Sequence, residues 1–291
     1  AKNIFTASTH DTILFFSDRG RVYRLKCYEV PEGARTSKGM NIANLLPIAQ
    51  DERVTSMIRV PEFDEDSYLV MVTRSGVIKR TPLSAFHTTR KGGVIAIDLD
   101  EGDELCWVRL TNGNDDLLVA TKKGMAIRFN ENDVRAMGRT ARGVKALTLK
   151  EGDCVVGMSI VREGGLVLTV SETGYGRLSS TDDYRRQSRG GKGIRAMNLT
   201  DKTGKLAGQM LVRDGVLIAS DGVIIRIQAN SIRECARPSK GVRVMRLNEG
   251  SKVVTLARTT HEDDEEPDEL PEDDGGDECE ESEELIDEGM E

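Results

Sequence analysis

Residues 185–197, RRQSRGGKGIRAM, hold five cations and three glycines. Guanidinium and ammonium groups beside glycine suit phosphate chemistry. The side chains supply charge, and a missing Cβ lets backbone N–H groups approach an oxyanion. Three readings follow: a phosphate cradle, a nucleic-acid clamp, or a solvated basic turn. RGGKG lacks the GxxxxGK[ST] spacing of a nucleotide loop, and the chain holds no HExxH metal motif. His10, His87 and His261 are isolated and read as surface residues. The acidic stretches DEGDE and KEGD lack ligands at alternate positions and read as hairpin turns, not calcium loops. Residue types alone therefore point to binding, with no catalytic group.

The basic stretch is not solitary. RTSKGMNIANL, TRKGGVIAIDL, RTARGVKALTL, SRGGKGIRAMNL and RPSKGVRVMRL align on Gly39, Gly93, Gly143, Gly193 and Gly241. Their cations are Arg35 and Lys38, Arg90 and Lys91, Arg139 and Arg142, Arg189 and Lys192, Arg237 and Lys240. A second series, Arg24, Arg80, Arg128, Arg177 and Arg226, could meet phosphates or pair with carboxylates of a neighbouring unit. Placed on a ring, the first series gives a curved positive track for a polyanion with regularly spaced charge. Solvated turns remain the alternative.

Some regular element must hold these segments in phase. Gly20, Gly76, Gly124, Gly174 and Gly222 each close a polar turn between two alternating apolar runs, at spacings of 56, 48, 50 and 48. That pattern predicts tight β-hairpins. A third landmark, the acidic turn, recurs as DEGDEL, KEGDCV and NEGSKV, with DKTGKL as a variant. Five units near 1–57, 58–107, 108–157, 158–210 and 211–258 follow, each with about four short strands. The expectation is an all-β, propeller-like fold of four-stranded blades, an open β-solenoid being the competing geometry.

The net charge of −8 conceals two parts. From His261 to Glu291 there are 19 acids and no Lys or Arg, which leaves 30 acids against 41 cations before it. A basic domain over 1–258 and a disordered acidic tail over 259–291 are expected. A tethered polyanion of this kind could compete for the basic surface. Aromatics at 4 % argue against a binder that stacks single-stranded bases. No apolar run reaches membrane-helix length, so no membrane partner is expected and a cytoplasmic setting is the default. Cys27, Cys106, Cys154, Cys235 and Cys279 form no CxxC pair; they read as reduced, the first four as strand residues.

THDTILFFSDRGRVYRLKCYEVPE, NLLPIAQDERVTSM, VRAMGRTARGVKAL and SETGYGRLS resemble the C-terminal DNA-wrapping domain of the DNA gyrase A subunit. The likeness covers residues 1 to 258, and an acidic tail is also a feature of many of its members. It implies a β-pinwheel whose blades exchange a hairpin, with double-stranded DNA bound around the perimeter in a largely sequence-independent way. Gln187, Ser188, Arg189, Gly190, Gly191, Lys192 and Gly193 match the family's box, Gln-Arg-Arg-Gly-Gly-Lys-Gly, with Ser188 for one arginine. The box normally stands in the first blade, so this stretch reads as a degenerate copy, whose glycines would admit the DNA backbone and where Arg185, Arg186, Arg189 and Lys192 would hold that backbone. The resemblance further implies a fragment without the first blade and the N-terminal catalytic region. Its partners would be that N-terminal part and the gyrase B subunit of a bacterial, chromosome-associated heterotetramer. ATP and Mg would belong to the parent assembly, and no cofactor is expected here. The related topoisomerase IV A subunit, and a propeller-like scaffold for an acidic protein, remain alternatives.

Overall fold

The computed structural model describes residues 6–34, 37–90, 92–212, 215–220, 223–237, 239–248 and 250–259. Arg35, Lys91, Gly222 and nearly all of the acidic tail lie outside these residues. All regular elements among them are β-strands and short 3-10 helices, and no helix is long and apolar enough to cross a membrane.

The first unit contributes strands β1 (Thr12–Ser17), β2 (Arg21–Lys26) and β3 (Val54–Val60). The second contributes β4 (Tyr68–Thr73), β5 (Val77–Pro82), the two-residue β6 (Val94–Ile95) and β7 (Leu105–Thr111). The third repeats this order with β8 (Asp116–Thr121), β9 (Met125–Asn130), β10 (Val144–Lys145) and β11 (Val155–Ile160). The fourth has β12 (Leu166–Ser171), β13 (Tyr175–Ser180), β14 (Ile194–Arg195) and β15 (Leu206–Val212). The fifth has β16 (Gly215–Ser220), β17 (Val223–Gln228), β18 (Val242–Arg243) and β19 (Val253–Thr259).

These strands form sheets ordered β3-β1-β2-β6, β10-β5-β4-β7, β11-β8-β9-β14, β15-β12-β13-β18 and β17-β16-β19. Each of the first four sheets thus holds three strands of its own unit and one from the unit that follows. The exchanged element is a two-residue strand rather than a hairpin. Among the described residues the fifth sheet has no exchanged strand on β17. The acidic turns are not hairpin turns either, because β6 and β7, on either side of one, belong to different sheets. Their aspartates instead brace the hairpins. Asp103 accepts the Ser75 N–H at 2.9 Å, and Asp153 accepts the Lys123 N–H and the Thr121 hydroxyl, both at 2.8 Å.

Strand alternation explains the layering, since successive side chains point to opposite faces. On β4, Leu69 and Met71 enter the core shared with the first sheet, while Val70 and Val72 enter the core shared with the third. On β8, Leu117 and Val119 face the second sheet, Leu118 and Ala120 the fourth. Four apolar cores therefore sit between consecutive sheets, each buried aliphatic side chain contributing about 1.5–3 kcal/mol. A fifth core of Ile13, Phe15, Tyr23 and Leu46 covers the other face of the first sheet. The strands β3, β7, β11, β15 and β19 line one cavity of about 860 Å3, so the exchanged strands occupy the opposite, outer edge of their sheets.

Of the first four cysteines only Cys106 is a strand residue. Cys27 opens a 3-10 helix, and Cys154 and Cys235 lie in connecting segments. All four are free.

Candidate nucleic-acid interface

The glycine-rich segments sit where one unit hands its short strand to the unit before. Gly193 has φ +71°, and a Cβ there would lie 2.4 Å from the Ala126 carbonyl oxygen, so only glycine fits against β9. Gly39 has the same kind of backbone, φ +75°, yet a Cβ would meet nothing within 4 Å.

The box-like stretch is largely occupied by the preceding unit. The Gln187 N–H donates to the Arg128 carbonyl at 2.8 Å, and the Gly190 N–H to the Ala146 carbonyl at 2.6 Å. The Gly191 carbonyl accepts from the Thr148 N–H at 2.8 Å. Arg189 donates Nε to the Asp133 carbonyl at 2.8 Å and Nη1 to the Lys145 carbonyl at 3.1 Å. Arg237 repeats that contact one unit later, onto the Arg195 carbonyl at 2.9 Å. The first cation of each of these segments therefore ties one unit to the one before. Of the Gln187–Gly193 stretch, Ser188, Gly191 and Lys192 are the exposed members.

The remaining candidates divide by what they touch. Lys38, Arg90, Arg185, Lys192 and Lys240 are exposed. Arg142 is exposed but ion-paired with Asp100, and Arg186 reaches Asp116 at 2.8 Å. Arg139 is half-buried, and its carbonyl accepts from Lys79. Arg90 stands three residues before Gly93, out of phase with Lys38, Arg142, Lys192 and Lys240, each of which immediately precedes its glycine.

Four arginines of the second series join units, while the fifth, Arg226, is exposed. Arg24 donates to the Thr88 carbonyl, Arg80 to Asn132 at 2.7 Å, and Arg128 to the Thr181 carbonyl at 3.1 Å. Arg177 is fully buried and serves the Ala196, Cys235 and Ala236 carbonyls. Its counterpart, three residues after its own turn glycine, is the equally buried Lys79, which donates to the Ala96 carbonyl at 2.6 Å. Burial, and then the nearby Arg139 charge, lower the Lys79 pKa to about 8; burial likewise lowers that of Arg177. Arg24, Arg128, Arg177 and Lys79 thus serve main-chain carbonyls of neighbouring segments, and Arg80 serves the Asn132 side chain.

Arg135 and Arg233 were not singled out from the sequence. Both are exposed and stand eight residues before their rim glycines, as Arg185 does. The signal was legible as NDVRAM, DDYRRQ and NSIREC, just after the 3-10 helices that end each hairpin. Among the described residues no His, Cys, Asp or Glu cluster could hold a metal ion. What the arrangement offers is a set of exposed cations on straps that cross between sheets, suited to electrostatic contact with an extended polyanion.

Comparison with known proteins is consistent with this architecture. The profile described as DNA gyrase C-terminal domain, beta-propeller, matches residues 11–61, 67–112, 115–162, 165–212 and 216–260. The DNA gyrase A subunit of Halalkalibacterium halodurans is 58 % identical over 267 residues, which span 91 % of this chain and 32 % of that protein. Its Clostridium acetobutylicum counterpart is 49 % identical over the same shares. The chain thus spans about a third of the length of the curated relatives it matches. Among solved structures, the C-terminal domain of DNA topoisomerase IV aligns at a TM-score of 0.79 and 26 % identity, over 85 % of this chain and 79 % of that one. A DNA gyrase A C-terminal domain aligns at 0.74 and 28 %, over 86 % and 83 %. Five matched repeats, spread over most of the described sheets, place the chain in the DNA gyrase C-terminal domain family.

Proposed function

We propose that this chain binds duplex DNA around its basic outer edge without regard to sequence and wraps it, as the C-terminal part of a gyrase A subunit. The observation that carries the reading is the recurrence of exposed cations, Lys192 and Lys240 among them, at matching places in successive units of a body of about +11. Contacts to phosphate position a duplex but carry no base information. Curving a short duplex costs about 1–6 kcal/mol by elastic estimates, and many phosphate contacts must offset it. Affinity should then fall steeply with salt.

In the parent enzyme such wrapping would present one DNA segment to another with a fixed crossing sign and so support ATP-dependent negative supercoiling. Cleavage, strand passage and ATP hydrolysis with Mg would fall to the N-terminal part of the same polypeptide and to the gyrase B subunit, at the bacterial chromosome in the cytoplasm. The likeness to a topoisomerase IV domain at the higher TM-score supports a second reading, the equivalent part of that enzyme. Relaxed plasmid incubated with the chain and then with a nicking-closing enzyme tests wrapping. A shift in linking number at low salt is expected. Binding without any shift would refute wrapping.

A further inference from the structure

At the outer edge of each of the first four sheets, two residue pairs join the receiving strand to the exchanged strand, and one of the two carries a cation. The cation-bearing pairs are Arg21 with Ile95, Val77 with Lys145, Met125 with Arg195, and Tyr175 with Arg243. Each consists of one cation and one apolar or aromatic residue. In three the cation rides on the exchanged strand. In the first it rides on the receiving strand, and Ile95, 45 % exposed, stands where the others carry charge. Directly opposed residues of an antiparallel pair share a sheet face, so the swap leaves the charge at the same place. Sequence alignment of the units finds no cation at Ile95; pairing across the seam restores it.

We propose that Arg21, Lys145, Arg195 and Arg243 form a phosphate-contact series of the duplex path, one cation at each seam between consecutive units. The proposal rests on the DNA-binding reading above and names which groups of that surface bear the contact. Lys145, Arg195 and Arg243 are exposed, and none of the four has a carboxylate partner among the described residues, unlike Arg142 and Arg186. The backbone beneath two of them is clamped: the Lys145 carbonyl accepts from Arg189 and the Arg195 carbonyl from Arg237. The Arg243 guanidinium lies 5.4 Å from the centre of the Tyr175 ring and donates to its hydroxyl at 3.1 Å. Arg21 donates to the Gly92 and Gly93 carbonyls at 3.3 Å. An apolar neighbour supports the aliphatic stem of a cation while its charged head stays in water. Fixed bases with exposed charges at Lys145, Arg195 and Arg243, and a half-buried one at Arg21, match a ligand whose charge is regular and whose sequence is irrelevant.

The test is the salt dependence of duplex binding by the full chain. Each phosphate contact contributes about 0.9 to the slope of log K against log salt. Neutralising all four, Arg21→Gln, Lys145→Gln, Arg195→Gln and Arg243→Gln, should lower the slope by about 3 to 4, and Lys145→Gln or Arg195→Gln alone by about 1. The charge-keeping set Arg21→Lys, Lys145→Arg, Arg195→Lys and Arg243→Lys should keep most of the slope. Lys150→Gln, an exposed cation on an acidic turn, should leave it unchanged. Unchanged slopes in both single variants, with wild-type circular dichroism, would overturn the series while the DNA-binding reading stands. Failure of the unmutated chain to hold duplex at about 50 mM salt, where phosphate-driven binding is strong, would overturn both.

Discussion

The buried ammonium of Lys79 donates to the carbonyl oxygen of Arg139, the first rim cation of the next unit. A core charge in one unit therefore fixes the backbone from which the following unit's basic segment projects. Burial and Arg139 lower the Lys79 pKa to about 8, against an opposing influence of Asp98. Between that value and the unperturbed 10.5 the unfolded chain binds more protons than the folded one, so this group makes stability rise with pH across the window. Below it both states are charged and the contribution is flat. The melting temperature of the unmutated chain, relative to Lys79→Met, is expected to climb from pH 8 towards 10. A difference that does not change with pH would contradict this.

Gly193 and Gly39 separate two costs of a side chain. Gly193→Ala adds both left-handed strain and a clash with the Ala126 carbonyl, whereas Gly39→Ala adds strain alone. Urea unfolding should show a loss of about 1 kcal/mol for Gly39→Ala and a clearly larger one for Gly193→Ala.

Arg189 and Lys192 lie three residues apart in the box-like stretch but do different work. Arg189→Ala removes two charge-assisted bonds to the preceding unit and should cost about 1–3 kcal/mol of stability. Lys192→Ala, at an exposed site, should stay within about 0.5 kcal/mol while weakening duplex binding at low salt. Equal stability losses would refute the division.

The Tyr175 phenol is a reporter for the seam it shares with Arg243. Its pKa is lowered, first by the Arg243 hydrogen bond and then by the charges of Arg243 and Lys202. In an ultraviolet titration Tyr175 should ionise at lower pH than an unperturbed tyrosine, and Arg243→Gln should move it back up. A titration curve that does not respond to Arg243→Gln would argue against the contact.

Much of the fold was legible because strand periodicity and turn glycines are local. The turn residues Gly20, Gly76, Gly124 and Gly174 all adopt positive φ, and the unbroken apolar run YLVMVT becomes β4, buried on both faces. The candidate site was harder to read, because a cation's role depends on what lies across the seam. Arg189 and Lys192 look alike in a string of letters, yet one faces two carbonyls of another unit and the other faces water. Arg177, grouped by sequence with Arg128, is instead the partner in kind of Lys79.

By itself the sequence determined the all-β class, the repeat and the charge of the body, since each follows from composition and short-range spacing. Only the tertiary structure decided that each of the first four sheets borrows a two-residue strand from the next unit. That exchange is a long-range pairing, and its hydrogen bonds are satisfied by residues some 70 positions away, as between Arg21 and Ile95. It also decided which cations remain on the surface. Lys79 and Arg177 go to buried carbonyls, where an unsatisfied polar group would be costly. Other cations, among them Lys145 and Arg195 at the seams and Lys192 and Lys240 on the straps, stay exposed.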